Sequence, residues 1–206
     1  MEILLIRHST TEGNRQKRFI GTLDVPISQE GVELARRVSP LLPQVEHLYR
    51  SPLQRCQQTA DLLWSGVEQT VIPQLRETDF GPFEGKCHEE LKDDPLYRQW
   101  ISSAPNFAAV PVGESAEACA LRVEQGIRAV LEQAAKAGYG RVAVVTHGGT
   151  LMGLLSRFGR PERAYYDWMC ANCGGYRVRA MEEPLSLEVL GPVGQGPMHM
   201  KMTADE

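Results

Sequence analysis

Two short apolar runs, Ile3–Ile6 and Val142–Val145, each lead to a histidine, and this duplication constrains the fold more than any other feature. Runs this short and this rich in branched side chains read as buried strands. The first delivers Arg7 and His8 at its carboxyl end; the second delivers Thr146 and His147. In an open α/β sheet, ligands bind in the crevice outside the carboxyl ends of the strands. A single histidine after a strand reads most simply as structural. If the two strands are parallel neighbours, two imidazoles share one sheet edge with a guanidinium. That points to an anion site with a nucleophile or an acid in it.

The remaining pattern alternates strands with helices. Glu46–Arg50, Thr70–Pro73, Gly175–Ala180 and Ser186–Leu190 join Glu2–Arg7 and Arg141–Thr146 as strands. Ser28 opens a helix with Leu34, Ala35, Val38 and Leu41 on one face. Ser51-Pro52-Leu53-Gln54 reads as a second helix start, with a cap, a first-turn proline and a capping-box glutamine. From Glu114, the spacing Cys119, Val123, Ile127, Val130, Leu131, Ala134 marks a long amphipathic helix ending at Gly138. This predicts an α/β three-layer sandwich: a mostly parallel central sheet flanked by helices, with a terminal hairpin and one antiparallel edge strand. Residues 1–190 form one catalytic domain on this reading, and the turn-rich stretch 191–206 is a tail. Residues 80–112 break the rhythm with Gly81, Pro82, Gly85, Pro95, Pro105, Pro111 and Gly113. Such an insertion reads as a lid or specificity region, with a plain surface excursion as the alternative.

Composition narrows the partners. At 206 residues the chain holds one sizeable core, and its net charge of −4 argues against nucleic acid as a partner. Any anion site is therefore local. No apolar stretch approaches the roughly 18 residues that span a bilayer, so no membrane partner is expected. The first apolar run is too short for a secretory signal and lacks a basic start, so a cytoplasmic location is expected. The five cysteines, an odd and scattered set, read as free thiols. Cys170-Ala-Asn-Cys173 has metal or redox spacing, but no second pair completes a ligand set, and we read it as coincidental.

Further residues belong to the same predicted edge. Gly148 and Gly149 lead into a helix whose free N–H groups can face an anion. Arg55 lies in the first turns of the helix after Ser51, where its charge opposes the helix dipole unless an anion is bound. Arg7 and Arg55 together suit bidentate bonds to phosphoryl oxygens, with Asn14 and the backbone of residues 8–14 as neutral donors. Glu77, in Leu75-Arg76-Glu77-Thr78-Asp79-Phe80-Gly81, stands at the mouth of the insertion as a candidate general acid, with Asp79 as its rival.

In this order the fragments resemble the histidine phosphatase superfamily, the phosphoglycerate-mutase-like fold. The resemblance covers most of residues 1–180. It rests on Arg7-His8 with Thr11-Glu12-x-Asn14, on Gly21-x-x-Asp24-x-Pro26-x-Ser28-x-x-Gly31, and on Ser51-Pro52-Leu53-x-Arg55-x-x-Gln58-Thr59-Ala60. It continues through Leu75-x-Glu77, Phe80-Gly81-x-Phe83-Glu84-Gly85, Gly113-Glu114-Ser115 and Thr146-His147-Gly148-Gly149. One departure stands out: Ser9 occupies the place of the family's usual glycine, which is expected to narrow the pocket floor slightly.

The resemblance implies that His8 attacks phosphorus and forms a phosphohistidine intermediate, while Arg7, Arg55 and His147 stabilise the phosphoryl oxygens and Glu77 serves the leaving group. It also implies phosphate contacts from Arg7, Asn14, Gly21, Thr22, Arg55 and Gly148. No metal and no cofactor are expected. The partner expected is a small phosphorylated metabolite, with a homo-oligomer left open. Thr78-Asp79-Phe80-Gly81 replaces the Arg-x-Tyr-Gly type run of the mutases, and the insertion holds only Lys86, Lys92 and Arg98 as cations, so water is the expected acceptor. The run from Glu77 to Gly85 looks most like the α-ribazole-phosphate phosphatases of cobalamin biosynthesis. A broad-specificity phosphatase and a phosphoglycerate mutase are the alternatives. A non-catalytic phospho-ligand binder is the reading from another class, and the presence of both His8 and Glu77 argues against it. Phe83, Tyr97, Trp100 and Phe107 of the insertion suit either covering a base-like group or packing a core.

Overall fold

The structure, a computed structural model, describes residues 1–104 and 113–194. Its first half runs β1 (Glu2–Arg7), α1 (Glu12–Arg15), α2 (Gln29–Val38), β2 (His47–Arg50), α3 (Gln54–Leu63) and β3 (Gln69–Val71). Two short helices of the insertion follow, α4 (His88–Leu91) and α5 (Pro95–Ser102). The second half runs α6 (Ala116–Ala137), β4 (Arg141–Thr146), α7 (Gly148–Phe158), β5 (Gly159–Arg160), β6 (Gly174–Glu182) and β7 (Leu185–Gly194).

The strands form one seven-stranded sheet in the order β3-β2-β4-β1-β6-β7-β5. The expected parallel pairing of β1 with β4 holds, in a register that sets Arg7 across from Thr146. Both strands are continuously apolar because helices cover both faces of the sheet. Ile3, Leu5, Val142 and Val144 pack under α6 and α7, while Leu4, Ile6, Ala143 and Val145 pack under α2 and α3. The long helix α6 is as read from the sequence: Ser115 caps it, its stripe from Cys119 to Ala134 is buried, and Gly138 ends it in the left-handed conformation.

Four details differ from the sequence reading. The antiparallel direction falls on β6, which pairs antiparallel with both β1 and β7; β7 returns parallel, and two-residue β5 takes the edge. The tail begins later than residue 191. Residues 191–194 continue β7 against Gly174–Arg177, and Pro192 is tolerated there because β5 reaches only Leu187 and Glu188 on the outer side. Leu41 is 72% exposed, because Ser39-Pro40 turns the chain out of α2 before Leu41 can rejoin the buried face. Ser51 does not cap α3: the helix starts at Gln54 with Leu53 as its unbonded cap, and the Ser51 hydroxyl is engaged elsewhere.

The insertion has its own small core. Phe83, Leu91, Tyr97 and Trp100 are buried together, with Phe19, Phe80 and Leu96 packed against them. Core packing thus accounts for Phe83 and Tyr97, while Phe107 lies outside the described residues. Two faces of α6 give a direct test of this layering. Ile127→Ala, at a fully buried site, should cost about 2–5 kcal/mol. Leu121→Ala, on the exposed face, should stay within about 0.5 kcal/mol in the same denaturant titration.

Candidate active site

β1 and β4 end side by side, so the residues that follow them leave the sheet together. His8 N–H donates to the Thr146 carbonyl at 2.8 Å, and the His8 and His147 rings meet edge to face with centroids 5.2 Å apart. His8 Nδ1 lies 2.7 Å from the Ser9 carbonyl oxygen. A carbonyl only accepts, so Nδ1 carries the proton and Nε2 keeps its lone pair. Burial, and then the charges of Arg55 and Arg7, hold the His8 pKa well below the ordinary histidine value. The imidazole is therefore neutral with a bare Nε2, the state a nucleophile needs.

Ser9 does not narrow the pocket. It is fully buried and turned away from the cleft: its Oγ donates to the Gly31 carbonyl at 2.6 Å, and its N–H donates to Thr59 Oγ1 at 2.8 Å. A Cβ on Gly31 would lie 2.2 Å from the Thr10 carbonyl, so α2 sits this close to the loop only as glycine. From the other side Asn172 donates to the His8 carbonyl at 2.9 Å, and Cys173 donates its N–H to the Arg7 carbonyl at 3.1 Å. Cys173 does so at a φ of 56°, a conformation non-glycine residues enter at a cost, here set beside the Arg7-His8 segment.

The cleft these residues open onto has a volume of about 880 Å³. Arg7, His8, Asn14, Glu77 and Gly148 line it, as the sequence reading expected. Arg7 donates through Nη1 to the Cys170 carbonyl, while its buried Nε has no hydrogen-bond partner among the described residues. Buried donors are normally satisfied, and a phosphoryl oxygen would satisfy this one. Gly148 leaves the room: a Cβ there would lie 3.2 Å from Arg7 Nε. Asn14 spends its Oδ1 on Thr11 N–H and Asn172, which leaves its amide nitrogen as a donor for a ligand.

Glu77 sits across the cleft at 7% exposure, and its carboxylate occupies the start of α7. It accepts from Gly149 N–H, Thr150 N–H, Thr78 N–H and Thr150 Oγ1 at 3.0–3.2 Å. The N–H groups of Gly149 and Thr150, read as free for an anion, are thus taken by the protein's own carboxylate, in keeping with the helix dipole. A Cβ on Gly149 would come within 2.7 Å of Glu77 Oε1.

Four expected phosphate contacts stand back from the cleft. Arg55 is fully buried and donates to the Leu23, Ile20 and Gly21 carbonyls and, through Nε, to His147 Nδ1. The loop carbonyls wrap the guanidinium because α3 sets it under residues 20–23, and with His147 they engage four of its five N–H donors. His147 is likewise consumed: Nδ1 accepts from Arg55, so Nε2 carries the proton and donates to Ser51 Oγ at 2.7 Å. Burial, and then Arg55 and His8, keep it well below the usual histidine pKa. Cys56 Sγ lies 3.5 Å from His147 Nε2, and burial pushes its thiol up to about 12. Gly21 and Thr22 donate their N–H groups to Glu84 instead of facing the cleft. Asp79, the rival acid, accepts from Gly81 N–H as a turn residue. Sequence reasoning missed Asn172, Thr150 and Ser51 as partners of the site; no local pattern marks them, because each contact spans more than seventy residues or hangs on a distant histidine.

A neutral, fixed imidazole, an unspent arginine donor and a carboxyl that line one cleft at a sheet edge suit phosphoryl transfer. The profile of the histidine phosphatase superfamily (branch 1) matches residues 3–191, and the chain belongs to that superfamily. A relative from Enterobacter sp., named as a probable phosphoglycerate mutase, GpmB, is 30% identical over 89% of this chain and 87% of its own length. The crystal structure of the α-ribazole phosphatase from Shigella flexneri superposes with a TM-score of 0.81 at 26% identity, covering 96% of this chain and 98% of that one. Among the described residues no helix is long and apolar enough to cross a membrane.

Two outcomes follow from the geometry. Both histidines are held neutral in the fold, while unfolded histidines take up protons below a pH of about 6.5. The unfolded state then binds more protons, so stability falls as the pH falls through that value, by up to about 1.4 kcal/mol per pH unit for each histidine. Denaturant titrations from pH 7 downward should show this decline, and His147→Asn should flatten the slope by one histidine's share. Gly149→Ala should push the Glu77 carboxylate aside. We expect activity to drop about 10²-fold while the melting temperature changes little.

Proposed function

We propose that the chain hydrolyses phosphomonoesters through a phosphohistidine on His8. The observation that carries this reading is that His8, with a bare, neutral Nε2, lines the same cleft as Arg7, whose Nε is unspent. His8 Nε2 forms a bond to phosphorus as the P–O bond to the leaving group breaks. Arg7, Asn14 and the Gly148 backbone hold the phosphoryl oxygens, and Arg55 and His147 fix the floor behind them. Glu77 gives its proton to the leaving oxygen and then takes one from the water that attacks the phosphohistidine. Inorganic phosphate leaves and His8 is restored. No step requires a metal ion or a cofactor.

The substrate proposed is α-ribazole 5′-phosphate, a small phosphorylated metabolite of cobalamin biosynthesis handled in the cytoplasm. The Shigella structure supports it, as do the aromatic residues Phe19, Phe80, Trp100, Tyr165 and Tyr166, which line the cleft beyond the phosphate end and suit a planar, uncharged group. The named mutase relative favours a second reading, transfer between positions of a phosphoglycerate. A carboxylate-bearing substrate needs further cations, and the arginines beyond the phosphate end are engaged: Arg18 with Glu90 at 2.7 Å and Arg157 with Glu117 at 3.3 Å. Hydrolysis of a broad range of small phosphomonoesters is the remaining alternative.

Hydrolysis of p-nitrophenyl phosphate should survive EDTA and fall roughly 10³-fold or more in His8→Ala. Full activity in His8→Ala would overturn the reading. Among α-ribazole 5′-phosphate, 3-phosphoglycerate and sugar phosphates, the first should give the highest kcat/KM. Faster isomerisation than hydrolysis of 3-phosphoglycerate would establish the mutase instead.

A further inference from the structure

The segment Gly113-Glu114-Ser115 and the helix it opens have no part in the steps above, yet a densely bonded cation lies there. Arg122, on α6, keeps 14% of its side chain exposed and grips Glu114, which keeps 10%, through two bonds: Nη2 to Oε2 at 2.6 Å and Nε to Oε1 at 2.8 Å. The rest of the fork is spent on main chain. Nη1 donates to the carbonyls of Gln74 at 2.6 Å and Arg76 at 2.9 Å, and Nη2 reaches the Glu77 carbonyl at 3.4 Å. Arg76 adds Nη2 to Glu114 Oε1 at 3.3 Å, and Glu114 N–H donates to the Asp79 carbonyl at 2.9 Å.

Three of the four residues from 74 to 77 are therefore held by one guanidinium from behind, and the Glu77 carboxyl is held by α7 from in front. The same guanidinium holds Glu114, whose backbone closes on Asp79, so the grip reaches both roots of the 80–112 insertion. We propose that Arg122 and Glu114 are positioning residues for the proton transfer of Glu77, fixing its main chain and tying it to the base of the insertion. Neither touches the reacting atoms. Losing the Arg122 fork leaves the Gln74 carbonyl without its donor, the Arg76 and Glu77 carbonyls with only Thr150 Oγ1 and Arg76 Nη1, and the Glu114 carboxylate short of its main partner. The Glu77 carboxyl then loses its aim at the leaving oxygen. His8, carried by β1, keeps its aim at phosphorus.

This inference rests on Glu77 being the acid, and it predicts a defect that depends on the leaving group. p-Nitrophenolate departs without a proton, whereas an alkoxide requires one. With a phosphoenzyme intermediate, kcat/KM reports the steps up to departure of the leaving group, whatever limits turnover. Measuring kcat/KM on p-nitrophenyl phosphate and on glycerol 2-phosphate therefore separates acid positioning from general damage. Arg122→Met should lose about 10²-fold on the alkyl ester and only a few-fold on the aryl ester. Arg122→Lys, which keeps the charge but not the fork, should fall between Arg122→Met and the wild type. Glu77→Gln should show the same split, and more of it. If Arg122→Met fails to melt cooperatively, Glu114→Gln, which weakens the same grip, carries the comparison. Equal losses on both esters, or none, with the split present in Glu77→Gln, would overturn the positioning role alone. No split in Glu77→Gln would overturn the acid assignment and this inference with it.

Discussion

The parallel pairing of β1 with β4 sets Arg7 across from Thr146, and the next residue on each strand is a histidine. That register brings two buried imidazoles to one edge, 5.2 Å apart. A slip of one residue would send His8 and its neighbours to the other face of the sheet. The pairing is specified by four consecutive apolar residues on each strand, buried on both faces, so the geometry of the site rides on core strands. The two histidines then divide the work. His8 turns Nε2 to the cleft, and His147 turns inward between Arg55 and Ser51.

The electrostatics follow from that division. Arg55 carries a full charge out of water, which is costly unless every donor is met. Carbonyls of residues 20, 21 and 23 and His147 Nδ1 meet four of its five donors, and Glu84 in turn holds the N–H groups of residues 21 and 22. The loop and the insertion thereby brace a buried cation whose charge, after burial itself, holds the pKa of both imidazoles down. A dianionic phosphoryl group would enter against Arg7, with Arg55 adding field from behind the floor. Three shells, sheet edge, buried arginine and braced loop, thus serve one nitrogen lone pair.

Much of this was legible in the sequence, because periodicity and strand-end position are local signals. β1, β4, α6, the hairpin, His8, Arg7, Asn14, Gly148 and Glu77 were all read from runs and caps within a dozen residues. The errors share a cause. Ser51 carries every mark of a helix cap, yet its hydroxyl meets a histidine ninety-six residues away. Arg55 reads as a phosphate clamp, and only the path of residues 20–23 shows that most of its donors are spent within the protein. The N–H groups at the start of α7 look free until the chain brings Glu77 onto them. Pairings made across the fold leave no period in the sequence, so they emerge only with the tertiary structure.

The central claim is that hydrogen bonding to the Ser9 carbonyl fixes the His8 tautomer and so selects Nε2 as the nucleophile. Phosphorus NMR of enzyme denatured during turnover, with mapping of the modified peptide, reads this directly. The account predicts one phosphohistidine, at His8, bonded through Nε2. Phosphorus on Nδ1, on His147, or on no histidine would contradict it.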